Sequence, residues 1–390
     1  MERPAFAFLV LGAALSMAIA VANVCLGLSL AALVAWRVRA ARAGEDPLAP
    51  FRRGSAVQAP IAAFVAWTLL AIPFSTLPAR SIGEVKGQLT FLLVPAAAAL
   101  LRGGADLRLL GALWRLAALY LSLRGLFEFL RSGGGLEARL TAGLSVHMTY
   151  AGLLMLLVLV LLARAVSPEE PGRSRLLDGG VAALGTLAIA LSLTRNAYLG
   201  LAAGVLVLVL LRKPKIAFVL VPLGLAAYLA APAAVRDRAR STFDPADETV
   251  RDRVAMWRAG RLMIRDHPLF GVGPGRIKEV YPDYRQPGFV EPRVGHLHNN
   301  LVMTAAETGL PSAAFYLWFV GAALLGGVRR ARAPGDDPVR PFARATVAAF
   351  AGLFVAGMFE YNFGDVEILV PTLVLSVFPW VGTGTAARGD

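Results

Sequence analysis

The chain has 390 residues, of which 57% are hydrophobic and only 17% charged, and its formal net charge is +13. Soluble domains average about 25% charged residues, so a soluble globular enzyme is excluded, and the single cysteine, Cys25, excludes a disulfide scaffold. In a soluble protein this basic surplus would suggest nucleic acid; here basic loops and anionic headgroups account for it, and no basic patch with interleaved aromatics marks a nucleic-acid site.

Apolar runs recur at 5–20, 22–36, 57–77, 88–101, 109–130, 144–163, 178–194, 196–211, 216–232, 308–328, 345–359 and 365–381. A run such as 144–163 supplies the roughly 20 residues that cross about 30 Å of hydrocarbon. The expectation is an all-α polytopic membrane protein with about 12 transmembrane helices (11–12), the number depending on whether the N-terminal stretch is two spans or one long tilted helix. A cleaved signal peptide competes for that stretch, because Ala20-Val21-Ala22 has the A-x-A form. Against it, the apolar run continues to Trp36 with only Arg3 before it. The run at 88–101 is short for a span and is expected to be kinked or internal.

The segments 37–53, 102–108, 164–177, 212–215 and 329–344 hold 18 Arg and Lys, whereas the alternate connections 78–87, 131–143, 195 and 360–364 hold 5. Short basic loops stay cytoplasmic, which sends 233–307 to the periplasmic face. The chain then divides into an N-terminal bundle of about nine spans (1–232), one large, partly helical periplasmic loop (233–307) and a C-terminal unit of three spans (308–390). No repeat of fixed period is visible.

The loop holds 12 Arg and Lys, 10 Asp and Glu, and three of the four histidines, His267, His296 and His298. Asp244-Pro245 reads as an N-cap with proline at the first helical position. Val250, Val254 and Trp257 share one face of the helix that follows, with Arg253 beside Trp257; Pro268 ends it. An amphipathic helix against the bundle is expected, most of its arginines exposed. Gly271-Val272-Gly273-Pro274-Gly275 lacks the strand, the helix and the spacing of a dinucleotide fingerprint and reads as a tight loop returning the chain to the bilayer. His296-Leu297-His298-Asn299 is the most suggestive cluster. A zinc site would need further ligands, and no H-E-x-x-H or cysteine pair supplies them; a structural pair or a general base near neutral pH are the competing readings.

Ionisable residues at membrane depth are functional candidates. Arg195, in Ser192-Leu193-Thr194-Arg195-Asn196, sits between two apolar runs and belongs near the outer boundary, facing the bundle interior, with snorkelling as the alternative. Arg115 has no acidic neighbour at helical spacing and reads as interfacial. Arg124 and Glu128 form an i,i+4 pair. His147 begins a span with Tyr150 on the same face, and Glu360, Asp365 and Glu367 make an acidic cluster on the outer side.

In this order the elements resemble the O-antigen ligase superfamily of polytopic bacterial membrane proteins. The resemblance runs from 144 to the C-terminus and more loosely over the earlier spans. Arg195-Asn196-Ala197-Tyr198-Leu199 fits the family's R-x3-L pattern. Arg253-Val254-Ala255-Met256-Trp257 with Pro268-Leu269-Phe270-Gly271-Val272-Gly273 resembles its periplasmic helix and glycine loop. His298-Asn299, followed after nine residues by Gly309, fits its H-N-x9-G pattern. Ser312 departs from the Gly, Thr or Tyr usual three residues later, which puts the tight turn into the next span in question.

The resemblance implies a metal-independent, cofactor-free, inverting glycosyltransferase of the bacterial inner membrane with its site facing the periplasm. The donor would be a glycan on undecaprenyl pyrophosphate and the acceptor a sugar hydroxyl of lipid A–core. A polysaccharide polymerase and a protein O-oligosaccharyltransferase are the alternatives within the superfamily. In that reading His298 is the base, Arg195 and Arg253 hold the pyrophosphate, and His296, Asn299, His147 and Tyr150 are supporting residues. Two rivals from other classes are a small-anion transporter, which should gather polar residues near the midplane rather than at the outer face, and a non-catalytic assembly partner for envelope glycans.

Overall fold

A computed structural model describes residues 3–14, 18–46, 55–133, 139–212, 215, 224, 226, 228–230, 233–240, 244, 246–286 and 294–382. Among these residues the structure is helical, without a strand. The helices are α1 (Arg3–Ala14), α2 (Ile19–Arg42), α3 (Gln58–Ala71), α4 (Leu93–Leu100), α5 (Gly104–Arg131), α6 (His147–Ala165), α7 (Gly172–Leu191), α8 (Arg195–Arg212), α9 (Ala233–Arg240), α10 (Glu248–Asp266), α11 (Ile277–Tyr284), α12 (Asn300–Arg332), α13 (Arg340–Ala356) and α14 (Val366–Ser376).

Six helices, α2, α5, α6, α7, α8 and α12, are long and apolar enough to cross a membrane, and α1, α3 and α14 are shorter apolar helices. The N-terminal stretch is two helices packed on each other rather than one. The run at 88–101 is not one regular α-helix: from Pro78 to Leu100 short helical turns of changing pitch follow one another without a gap, the last of them α4 (Leu93–Leu100), which agrees with a kinked segment. The expected span at 216–232 lies largely outside the described residues.

Helix α6 is the axis of the bundle. Its leucine- and valine-rich sequence is apolar all round, and such a helix is buried on every side; Leu153 to Leu161 are at most 2% exposed. Helices α5, α7, α8, α13 and α14 surround it. On one flank Gly200 and Gly204 of α8 let the backbones of α8 and α13 touch: a Cβ at Gly200 would lie 2.7 Å from the Gly352 carbonyl oxygen, and one at Gly204 2.7 Å from that of Ala348. This is the small-x3-small packing by which apolar helices gain dispersion contact in the absence of a hydrophobic drive between them.

At the end of α6 that carries Arg164, a buried charge network ties the helices together. Arg164 pairs with Glu170 (3.3 Å) and Asp178 (3.4 Å), and Arg115 reaches the same Asp178 at 3.1 Å. Arg115 is therefore not a lone interfacial charge; its partner lies on α7, beyond the reach of a spacing argument within one helix. Arg124 and Glu128 do pair as i,i+4, at 3.5 Å.

The opposite end carries a second, smaller core built on the first turns of α12. Helix α10 buries Met256, Ala259, Gly260 and Met263 there, not the expected line of Val250, Val254 and Trp257, which are half-buried. Its N-cap is Asp247, not Asp244: the Asp247 carboxylate accepts from the Val250 amide at 3.2 Å. Arg251, Arg258, Arg261 and Arg265 are exposed, whereas Arg253 is half-buried.

Gly309 breaks α12 with φ 86° and ψ 169°, a backbone region that is essentially reserved for glycine. The turn into the following span thus forms with Ser312 buried just beyond it. The glycine loop docks on this break: Val272 N donates to Ala306 O (2.8 Å), Gly273 N to Glu307 O (2.9 Å) and Leu310 N to Pro268 O (2.9 Å). The loop also accepts from Thr76 N at Val272 O (3.0 Å), so it is a packing device that joins α12 to the turns after α3. A Cβ on Gly309 would collide with the Leu269 carbonyl. Gly309→Ala is expected to destabilise the protein by roughly 2–4 kcal/mol, from backbone strain and displacement of the loop, read as a lower thermal midpoint in detergent.

Candidate functional site

The residues singled out by the sequence come together at the end of the bundle where α6, α8 and α10 begin. A cavity of about 420 Å³ is lined by Arg195, Arg253, His296, His298, His147 and Arg139, among others. Arg195 opens α8 and is 5% exposed. Its guanidinium meets Asp247 edge-on, Nη1 to Oδ2 and Nη2 to Oδ1 both at 3.2 Å. Burial works against ionisation of Asp247, but the hydrogen bonds and charge of Arg195 and the Val250 amide hold its carboxyl below the usual range. The Asp247 clamp therefore fixes the start of α10 against α8 and sets Arg253, six residues on, over the same cavity. A third arginine, Arg139, is in hydrogen-bond contact with His147 Nε2 at 2.7 Å, which makes His147 part of the cavity wall. Tyr150 is not brought to the site: it is fully buried, and its hydroxyl donates to the Leu121 carbonyl at 3.2 Å.

His298 is held by three devices. It has φ 47°, a left-handed conformation uncommon for a residue with a Cβ, and Leu193 on the other wall of the cavity has φ 51°. Strain of this kind gathers where surrounding structure fixes a side chain for function. Asn299 caps α12, its Oδ1 accepting from the amides of Leu301 (2.9 Å) and Val302 (3.0 Å), while its Nδ2 donates to Met358 O at 2.9 Å. Asn300 N donates to Gly357 O at 2.7 Å. The α13–α14 connection is thereby laced to the histidine loop and delivers Glu360, whose Oε2 lies 2.9 Å from His298 Nδ1.

Burial alone would raise the Glu360 carboxyl above the model-compound value, but the hydrogen bond from His298, the charges of His298 and His296, and the Tyr361 amide hold it down to about 2. Since this pKa lies below the ordinary 4.5, the stability tied to the carboxylate is present above pH 4.5 and is lost as pH falls through about 2. An ionised Glu360 makes Nδ1 of His298 the protonated nitrogen and leaves Nε2 with the lone pair. That arrangement orients and polarises a general base. His296 stacks edge-on against His298, ring centres 4.2 Å apart. Burial, with the charges of His298 and Arg253, lowers its pKa against the pull of Glu360.

The donor atoms of His296, His298 and Glu360 all lie within 4.8 Å of one another, a set that could hold a metal ion. Glu360 is the third ligand that spacing around the histidines did not reveal. The hydrogen bond at Nδ1 and coordination through Nδ1 exclude each other, because a protonated nitrogen has no lone pair to give a metal.

Residues 180–317 match the family described as O-antigen ligase. The matched stretch contains Arg195, Arg253, His298 and Gly309, and supports the O-antigen ligase superfamily for this chain. Among curated proteins no match is found. Six of the described helices are long and apolar enough to cross a membrane, which agrees with a helical, multi-pass membrane protein.

Proposed function

Starting from a chain that carries an O-antigen ligase domain, we propose that it is an inverting glycosyltransferase of the bacterial inner membrane. It moves a glycan from undecaprenyl pyrophosphate to an acceptor sugar hydroxyl on the periplasmic face. One observation carries the reading: two arginines and a carboxylate-backed histidine line a single cavity large enough for a diphosphate and a sugar.

The acceptor hydroxyl gives its proton to His298 Nε2 as its oxygen attacks the anomeric carbon. The bond from that carbon to the pyrophosphate oxygen breaks on the opposite face, and undecaprenyl pyrophosphate leaves with the electron pair. Arg195 and Arg253 offer fixed, always-protonated donors to the charge that grows on the leaving group. The Nη1–Nη2 edge of Arg195 is held by Asp247 at 3.2 Å, which fixes its guanidinium charge in place beside the cavity. Glu360 touches no substrate; it is a positioning residue that keeps the His298 lone pair on Nε2.

Among acceptors we favour lipid A–core, a ligase, over a further repeat unit or a protein hydroxyl. Purified protein in lipid, given an undecaprenyl pyrophosphate glycan with lipid A–core and free repeat unit as competing acceptors, is expected to shift the core band once. A ladder of lengthening lipid-linked glycan would make it a polymerase with the same site. No donor consumption with any acceptor would overturn the reading. A second reading, favoured by the three donor atoms within 4.8 Å, places a divalent cation at His296, His298 and Glu360. Under the base mechanism, exhaustive chelation leaves the transfer rate within twofold of untreated protein; loss that added metal restores would replace that mechanism.

A further inference from the structure

Behind His296 lies a second cavity of about 390 Å³, which shares Gly295 and His296 with the arginine-lined one. Its lining lacks the cations of the first. Among the described lining residues there is no arginine or lysine; the polar groups include Glu84, which pairs with Arg276 behind the wall at 3.3 Å, Glu307, Gln88 and the hydroxyls of Thr68, Thr304 and Thr308. The three threonine hydroxyls donate to carbonyls four residues back, of Phe64 (2.8 Å), Asn300 (2.7 Å) and Thr304 (3.0 Å), so each presents its oxygen as an acceptor. Phe64, Phe91, Phe363 and Tyr361 supply flat apolar surface; Phe64, Phe91 and Phe363 pack on one another with ring centres 5.4–5.7 Å apart. Two polar atoms of the lining, Gln88 Oε1 and His296 Nδ1, are buried and have no hydrogen-bond partner among the described residues, and the first of them lies away from the catalytic pair.

Buried polar groups are normally hydrogen-bonded, and an exception calls for an explanation. Here the unpaired carbonyl oxygen belongs to the wall of a cavity rich in acceptors and aromatic faces and poor in cations. A ligand that supplies many hydroxyl donors and apolar C–H faces fits it, and a phosphate does not. We infer that this second cavity is the acceptor subsite of the proposed transferase, built for an uncharged sugar, with Gln88 as a specificity residue. The inference rests on the glycan-transfer reading for its place in the reaction. The sign of the lining sorts the two substrates: the diphosphate belongs among Arg139, Arg195 and Arg253, and the neutral sugar reaches past His296 to bring its hydroxyl to His298.

Gln88→Leu is the test that least disturbs the fold, because it removes the buried Oε1 that lacks a hydrogen-bond partner while nearly keeping the volume. The probes are a neutral hexose disaccharide and the same disaccharide phosphorylated on its terminal residue, with equilibrium binding measured in lipid nanodiscs and turnover measured separately. The expected results are at least tenfold weaker binding of the neutral disaccharide to Gln88→Leu, and at least tenfold preference of wild type for the neutral over the phosphorylated form. In turnover, the acceptor KM rises at least tenfold in the variant while the donor KM stays within twofold. Equal binding by variant and wild type, equal binding of the two disaccharides, or a rise in the donor KM alone overturns the subsite and leaves the transferase reading standing. Neutral-sugar binding lost in Gln88→Leu, with no donor consumed by wild type, upholds a sugar subsite and removes the transferase reading.

Discussion

Glu360→Gln is expected to cut transfer by about 10²–10⁴-fold, as much as removing a general base outright, although Glu360 touches neither substrate. A glutamine amide can donate to His298 Nδ1 where the carboxylate accepted from it at 2.9 Å, which stabilises the tautomer with its proton on Nε2 and no lone pair facing the acceptor. The same change of tautomer costs about 10⁴ in the serine protease triad when its aspartate becomes asparagine. One further readout separates this from loss of structure. The effects of Glu360→Gln and His298→Ala should be far from additive, since both remove one function. A Glu360→Gln enzyme with near-normal rate, or additive effects of the two substitutions, would take the carboxylate out of the mechanism.

Arg253→Lys and Arg195→Lys should each lower the rate by roughly 10²–10³-fold, the range for losing one fixed donor to developing charge. Lysine keeps the charge but offers a single point where guanidinium offers a planar fork. The two variants should differ in stability. Arg195 holds the N-cap residue of α10 through two hydrogen bonds of 3.2 Å, so Arg195→Lys should also lower the thermal midpoint. Arg253 lies on the second turn of α10, away from that clamp, and Arg253→Lys should unfold close to wild type. Equal donor KM and rate in both variants would leave the leaving group to other residues, Arg139 first among them.

The parts of the site legible in the sequence are those with a local signature. Arg195 stood out as a charge between two apolar runs, and His298-Asn299 as a polar cluster a fixed distance before a glycine. Arg253 was marked only by the stretch it opens; along a helix it is one arginine of several, and burial against the cavity is what separates it from Arg251, Arg258, Arg261 and Arg265. Glu360 cannot be paired from the sequence, since 62 positions and two complete helices, α12 and α13, separate it from His298; it is visible only as one acid among Glu360, Asp365 and Glu367. Asp365 and Glu367 serve the start of α14 instead, Asp365 accepting from the Glu367 amide at 3.1 Å and Glu367 from the Ser145 hydroxyl at 3.0 Å.

The buried face of α10 departs from its apolar pattern for a related reason. Valines and a tryptophan at i, i+4 and i+7 weigh more in a hydrophobic pattern than Ala259 and Gly260. The buried face is set by close approach, however: a Cβ on Gly260 would lie 2.5 Å from Val302 Cγ1, so the smallest residues face α12. At 88–101 the short apolar run continues a series of helical turns that begins at Pro78, and neither Glu84 nor Gln88, at the edge of that run, carries a sequence signal that singles it out. Tyr150 shares the face of His147 by spacing, yet one turn of helix carries it away from the cavity and into the bundle.

The most direct test measures donor binding and transfer side by side in wild type and His298→Ala, both in lipid nanodiscs with an undecaprenyl pyrophosphate glycan. The expected result is donor affinity within about twofold of wild type, because Arg195 and Arg253 remain, with transfer reduced by about 10²–10⁴-fold. Transfer at the wild-type rate by His298→Ala would contradict a histidine base at this site.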